Sequence, residues 1–276
     1  MKHLLSLTLV MLITGYFSTL SAQVSAEEQE RLAKKSANPL SDLWLLWNQN
    51  DYSNFGGDLS EDRKVNSYKF QPVMSFSLNN GANNLIIRPV IQYQSFPTGP
   101  GNRESGFGDT ILLTLYGPNR EDGTIYGFGI SQIWPTAGKD ALGFEKWAVG
   151  PAALIARLAP KPGGFNMGVL PQHWWSYAGE DGREDVNRTD LQYFLNYRWG
   201  PTRLIGTTSN ITIDWKADKD NALTLPIGLG FSNVFFFGRL PIRVVTEFQY
   251  SIIKPDDYGA EWNLRFLFIP IIPRLF

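Results

Sequence analysis

The chain has 276 residues with 25 basic and 26 acidic side chains, a near-neutral balance that excludes the basic footprint of a nucleic-acid binder. It has no cysteine, which excludes disulfides, thiol nucleophiles and cysteine-ligated metals together. Two histidines leave little for general acid–base chemistry, whereas nine Trp, eleven Tyr and eighteen Phe exceed what a small soluble core requires.

The N-terminus carries an export pattern. Met1-Lys2-His3 supplies the positive start and Leu4 to Ile13 the apolar stretch. Leu20-Ser21-Ala22 and Val24-Ser25-Ala26 are alternative small-residue cleavage motifs. Thr8, Thr14 and Gly15 dilute the run, which is short for a membrane span of about 20 residues. Residues 1–26 are therefore read as a cleaved signal peptide. Residues 27–39 follow as a short periplasmic helix and linker, acidic at Glu27-Glu28 and basic at Lys34-Lys35, in the order that complements a helix dipole. Asn38-Pro39 ends it, because the residue before proline leaves the helical region. No later window is long and apolar enough for a transmembrane helix.

From residue 40 onward the period is two. Between Asn187 and Trp199, Thr189, Leu191, Tyr193, Leu195, Tyr197 and Trp199 share one strand face; Arg188, Asp190, Gln192, Asn196 and Arg198 share the other. About twelve such strand candidates follow one another, the even count of bacterial barrels. They cover 42–51, 65–79, 84–96, 107–117, 123–135, 145–160, 163–178, 187–200, 204–216, 221–236, 239–253 and 259–269. The segment 145–160 fits least well, with Ala and Leu on both faces. Short turns near Asn79–Asn84, Gly117–Gly123, Pro160–Gly164, Gly200–Arg203 and Gly238 alternate with longer loops near 52–64, 97–106, 136–144, 179–187, 217–220 and 254–260. That alternation is the barrel arrangement of tight periplasmic turns and longer external loops.

The pattern predicts an all-β fold: one transmembrane antiparallel β-barrel over 40–276, in a bacterial outer membrane, with a short N-terminal helix on the periplasmic side. Prolines 72, 89, 226 and 241 cannot donate to a ladder and are expected at bulges or rims. Pro270 and Pro273 suggest that the last residues leave the sheet. Gly127, Gly129, Gly228 and Gly230 mark places where a curved wall bends or backbones approach.

The wet face supplies the candidate site. Lys69, Gln71, Arg88, Gln92, Arg188, Asp190, Gln192, Asn196, Arg198, Asp214, Arg243, Glu247 and Arg265 are expected to line the lumen. Buried charges are normally paired, so a salt-bridged lining is the reading of Asp190, Asp214 and Glu247 rather than catalysis. The cationic excess would bias passage toward anions. The chain is read as a passive channel for a small solute (hydrophobic, aromatic or anionic), not an enzyme. Its partners are outer-membrane lipid, lipopolysaccharide and that solute, with no cofactor and no metal.

Two alternatives come from other classes. A lipolytic outer-membrane enzyme would have to use His173, the single histidine beyond the leader, although Gly-x-Ser-x-Gly is absent and Ser176 falls on the opposite strand face. A structural or adhesive barrel would act through the loops at 52–64 and 179–187. Gly106-Phe-Gly-Asp109 lacks the strand–loop–helix setting of a phosphate loop and reads as a turn.

A series of short motifs resembles one family. Leu32-Ala-Lys-Lys-Ser-Ala-Asn-Pro39, Phe96-Pro-Thr-Gly99, Gly106-Phe-Gly-Asp109, Trp134-Pro-Thr-Ala-Gly-Lys139 and Trp147-Ala-Val-Gly-Pro151 occur in order. Trp175-Ser-Tyr-Ala-Gly179, Leu191-Gln-Tyr-Phe-Leu-Asn-Tyr197, Leu225-Pro-Ile-Gly-Leu-Gly230 and Glu261-Trp-Asn-Leu-Arg-Phe266 continue it. Together they resemble the bacterial outer-membrane barrels of the "MetA-pathway of phenol degradation" family. The resemblance covers nearly the whole mature chain and implies a fold and a compartment, not a substrate.

Overall fold

A computed structural model describes residues 24–58, 64–99 and 102–273, so the expected signal peptide lies outside the described residues as far as 23. One helix, α1 (Ala26–Ser36), precedes the strands β1 (Leu43–Gly56), β2 (Lys64–Leu78), β3 (Asn83–Gly99), β4 (Asn102–Phe107), β5 (Thr110–Pro118), β6 (Thr124–Trp134) and β7 (Lys146–Arg157). Then come β8 (Phe165–Gly179), β9 (Asn187–Arg198), β10 (Arg203–Asp214), β11 (Leu223–Phe237), β12 (Leu240–Ile253) and β13 (Gly259–Pro273). Each strand pairs antiparallel with its sequence neighbour, and β13 returns to pair with β1. The short β4 and β5 both pair with β3 and occupy one place in the wall, broken at Gly108–Asp109. The result is a closed antiparallel barrel of 12 strand positions.

The outward face explains the aromatic load. Tyr126, Phe128, Phe165, Trp199, Phe235 and Phe237 are exposed near the short turns; Phe107, Trp147, Trp175, Tyr177, Trp215 and Tyr250 are exposed near the longer loops. Between these two belts the outer surface carries exposed Ile130, Val169, Leu195, Ile205, Leu229 and Leu264. An apolar band bounded by two aromatic girdles is the surface a bilayer requires. No helix among the described residues is long and apolar enough to cross a membrane, so crossing falls to the strands.

Three expectations need correction. The last strand does not leave the sheet before Pro273: Leu45 pairs with Ile271 and Leu43 with Pro273. Pro270 costs the β1–β13 ladder only its Leu46 and Trp47 positions, and buried Ile269 and Ile271 hold the strand against the interior. The first strand runs to Gly56 rather than ending at 51, since Asp51 to Asn54 pair with Trp262 to Arg265. Nor is the inward face uniformly wet. Leu40, Leu45, Ile86, Leu113, Leu115, Leu154, Leu170 and Ile271 form a buried apolar cluster inside the barrel. This accounts for β7, whose Ala152, Leu154 and Ala156 face that cluster while Trp147, Val149 and Ile155 face outward.

The prolines divide between expected and unexpected places. Pro226 sits at a register shift against β12, and Pro241 lies near the β11–β12 turn. Pro72 and Pro89 instead lie mid-wall, inside a shared break in the β2–β3 ladder between Phe70↔Ile91 and Met74↔Ile87. Two residues without an N–H thus share a single gap.

Candidate functional site

Helix α1 closes one end of the lumen. Ser25 caps it, its Oγ accepting from the Glu28 N–H at 3.2 Å. Arg198 of β9 reaches Glu30 at 3.1 Å and donates to the Ala159 carbonyl at 2.9 Å. Arg243 of β12 donates to the Ala33 carbonyl at 2.9 Å and to Ser36 Oγ at 2.8 Å. A guanidinium on the last carbonyls of a helix meets the negative end of its dipole. Two lumen arginines therefore act as anchors for a plug.

Above the plug lies a cavity of about 150 Å³. Ser36, Ala37 and Pro39 form its floor. Its walls are mainly aliphatic, with Leu45, Val73, Ile86, Leu113, Leu154 and Leu170 on one side and Phe194, Leu204, Val245 and Leu267 on the other. Trp47 also lines it, and its buried Nε1 has no hydrogen-bond partner among the described residues; nor has the buried Nε of Arg88.

A polar collar lies along the cavity's upper wall. Glu247, Arg265 and Asp51 occupy one lateral row across β12, β13 and β1. Arg265 Nε donates to Asp51 Oδ1 at 2.8 Å, Asn263 to the same oxygen at 3.1 Å, Gln49 to Oδ2 at 2.6 Å, and Lys69 lies 3.3 Å from Oδ2. Gln71 extends the chain by donating to Gln49 at 3.0 Å. Asp51, Arg265 and Lys69 thus meet opposite charge, and Glu247 is held by hydrogen bonds from Thr207, Thr208, Ser209 and Gln249, which offsets the penalty of burying them.

At the loop end, Asp109 is 3 % exposed and accepts the Ala137 N–H at 3.1 Å and the Phe144 N–H at 2.6 Å. It pins the β6–β7 loop, and Gln94 donates to the Leu142 carbonyl at 2.9 Å from below. Arg183 ties the β8–β9 loop to the same segment through Glu145 at 2.9 Å.

The thirteen proposed lining residues fall into separate groups. Arg88, Gln192, Asn196, Arg243, Glu247 and Arg265 line the cavity. Lys69 and Gln71 belong to the collar, and Arg198 to the plug anchor. Gln92 donates to the Asp109 carbonyl at 3.3 Å. Arg188 stacks 5.8 Å from the Phe144 ring centroid, and Asp190 accepts from Asn210 at 2.8 Å. Asp214 accepts the Lys216 N–H at the loop end, away from the cavity.

Asp51, Gln49 and Gln249 are the important omissions. Asn48, Asn50 and Asn54 make the opposite face of β1 polar too, so the alternation that would have exposed Asp51 is missing from the sequence.

His173 is half-buried, its Nδ1 2.7 Å from Thr189 Oγ1 and its ring centroid 4.0 Å from that of Trp175. Trp215 Nε1 also donates to Thr189. The hydroxyl partner comes from the neighbouring strand, in the loop-side aromatic belt. Ser176 bonds Asp185 instead. Among the described residues no cluster of His, Asp and Glu is arranged to hold a metal.

The folded chain is similar to the crystal structure of an outer membrane channel from Pseudomonas putida F1, with a TM-score of 0.66 at 14% identity, covering 83% of this chain and 94% of that one. This is an outer-membrane β-barrel fold. The barrel is less similar to the β domain of the Bordetella autotransporter BrkA (TM-score 0.44, 12% identity, 82% and 98% covered). The translocator domain of NalP from Neisseria meningitidis compares likewise (TM-score 0.44, 11% identity, 87% and 93% covered). No protein-family model and no curated protein matches the sequence.

Proposed function

We propose that the protein is an outer-membrane channel for the passive passage of small, uncharged, single-ring molecules. The observation that carries this reading is the mainly aliphatic cavity of about 150 Å³ between the plug and the collar. A cavity of this volume accommodates a benzene-sized molecule. A channel for hydrated sugars or ions would instead present free polar groups along its lumen. Here Arg198, Arg243 and Arg265 each bond protein partners, which weakens the basis for anion preference and leaves Arg88 as the cavity arginine that could still serve it. The sequence resemblance to barrels of the "MetA-pathway of phenol degradation" family is consistent with an outer-membrane location. The motif residues Trp147 and Trp175 lie in the aromatic belt.

The test is uptake of radiolabelled benzyl alcohol and glucose by cells producing the protein, compared with cells lacking it. The reading requires faster benzyl alcohol uptake with no gain for glucose, and loss of the gain in Leu154→Glu at equal levels of heat-modifiable, folded barrel. Glucose uptake without benzyl alcohol uptake would overturn it.

A further inference from the structure

We infer that the cavity contains an acceptor site, in which Arg88, assisted by Trp47, hydrogen-bonds a neutral oxygen carried by the solute's ring. The inference rests on the channel reading above and narrows its solute to a ring with a hydroxyl or carbonyl group.

Most polar side chains of the cavity wall are already committed to the protein. Arg243 bonds Ser232, Ala33 and Ser36; Arg265 bonds Asp51 and the Thr208 carbonyl. Glu247 accepts from β10, Asn196 donates to the Thr207 carbonyl, and Asn166 accepts the Ala159 N–H. Arg88 and Trp47 differ. Both line the cavity, and the buried Arg88 Nε and Trp47 Nε1 have no hydrogen-bond partner among the described residues. Nor does any described residue bond the other two nitrogens of Arg88 or pair with it within 4.0 Å.

The strand register brings these two donors to one region of the wall. Trp47 pairs with Gln71 across β1 and β2, and Arg88 pairs with Leu113 across β3 and β5. The ladder on either side of the proline gap sets Gln71 opposite Val90, one inward step nearer the loops than Arg88. Trp47 and Arg88 therefore flank β2 on its inward face. At strand spacing their backbones lie roughly 12 Å apart, a gap that an extended guanidinium and an indole close within the lumen. Nearly across the lumen, Gln192 of β9 lines the same cavity, and its amide bonds no described residue.

The charges around Arg88 decide which oxygen fits. A guanidinium in a mainly aliphatic cavity needs acceptors, and no neighbouring side chain supplies one. Its countercharge is already at hand, since Asp190 of β9 acts on it electrostatically without forming an ion pair. The unmet requirement is an acceptor atom, not a second negative charge. A solute carboxylate would also meet the field of Asp190 and of Glu247 in the same wall. A hydroxyl or carbonyl oxygen has two lone pairs, enough for Arg88 and Trp47, and the Gln192 carbonyl accepts a hydroxyl proton where there is one. The ring packs on Leu113, Leu154 and Leu170. Such a site discriminates against the analogue lacking the oxygen, because that analogue leaves buried donors unpaired.

Equilibrium dialysis of radiolabelled benzyl alcohol against the purified barrel in detergent, with protein-free micelles as the blank, measures this site without transport. At equal free concentration, benzaldehyde should displace the label about tenfold better than toluene, which has no oxygen. Benzoate should compete less well than benzaldehyde. Arg88→Met, at equal levels of heat-modifiable barrel, should bring benzaldehyde down to the level of toluene. Trp47→Phe should narrow the difference by less. Equal competition by benzaldehyde and toluene in the unmodified protein would overturn the acceptor site, and so would a preference untouched by both substitutions. Tighter competition by benzoate would overturn the neutral class. The channel reading is judged separately by benzyl alcohol uptake, whose absence would overturn it even where displacement follows the oxygen.

Discussion

The carboxylate of Glu247 bonds the backbone N–H of Thr208 at 3.0 Å, although the two residues belong to strands separated by a third. Glu247→Leu removes the acceptor for that N–H and for two hydroxyls. The expected cost is about 1–3 kcal/mol for each buried group left unpaired. Glu247→Gln keeps one carbonyl oxygen and should lose less. Urea unfolding in detergent, followed by tryptophan fluorescence, ranks the two variants. Equal stability for Leu and wild type would contradict the bonding described.

Asp51 and Arg265 form a buried pair in which breaking one side is worse than removing both. Arg265→Gln leaves the Asp51 carboxylate facing only Lys69 and amides, with an expected loss of about 3–5 kcal/mol. Asp51→Asn/Arg265→Gln removes both charges and should recover most of that loss. The same unfolding assay in a double-mutant cycle measures the coupling.

Deleting residues 27–39 removes the plug and should raise single-channel conductance in planar bilayers. Arg243→Ala frees the Ala33 carbonyl and Ser36, so it should give brief openings toward the deletion level rather than a fixed larger pore. An unchanged trace in both would show that α1 does not limit flow.

The mature N-terminus is predictable from the helix cap. Cleavage after Ala26 would discard Ser25, whose Oγ accepts the Glu28 N–H, and Val24, which packs against the interior cluster. Cleavage after Ala22 retains both, and an N-cap serine contributes about 1 kcal/mol. Mass spectrometry of the purified protein should therefore give a chain starting at Gln23. A start at Glu27 would contradict this.

Acid should loosen the β8–β9 loop. The Ser176 hydroxyl foremost, and Lys146 after it, hold the Asp185 carboxyl below the usual aspartate range. A depressed carboxyl supports the folded loop fully above the ordinary value of about 3.9, and that support is lost as pH falls through the lowered value. The protection factor of the Val186 N–H, which donates to Ser176 Oγ at 3.1 Å, should thus stay flat from neutral pH to about pH 4 and fall below it. In Asp185→Asn it should be lower at neutral pH and largely independent of acid.

The wall was legible because lipid imposes one rule on every outward position. Leu191, Tyr193 and Leu195 on β9 announce a period of two without help from the rest of the fold. The interior follows no such rule. Leu154 faces inward as surely as Arg243 does, because α1 and Leu40 fill the turn-side half with apolar contacts and only the collar is polar. Asp51 was hidden by the asparagines on the opposite face of β1. The reach of Glu247 to Thr208 was invisible because register arises from pairing; Gly228 and Gly230 hinted at close approach without naming Glu247 as the intruder.

The position of α1 also dictates an order of assembly. The helix is first in the chain, yet Arg198 and Arg243 hold it from strands that come far later, and β1 beside it meets its last partner only in β13. A finished cylinder offers a folded helix poor entry, so the N-terminal segment must already rest in the concave face of the growing sheet when the first and last strands meet. Zipping that final seam corks the vessel from within, and a chain that joined its ends too early would be left with its stopper outside.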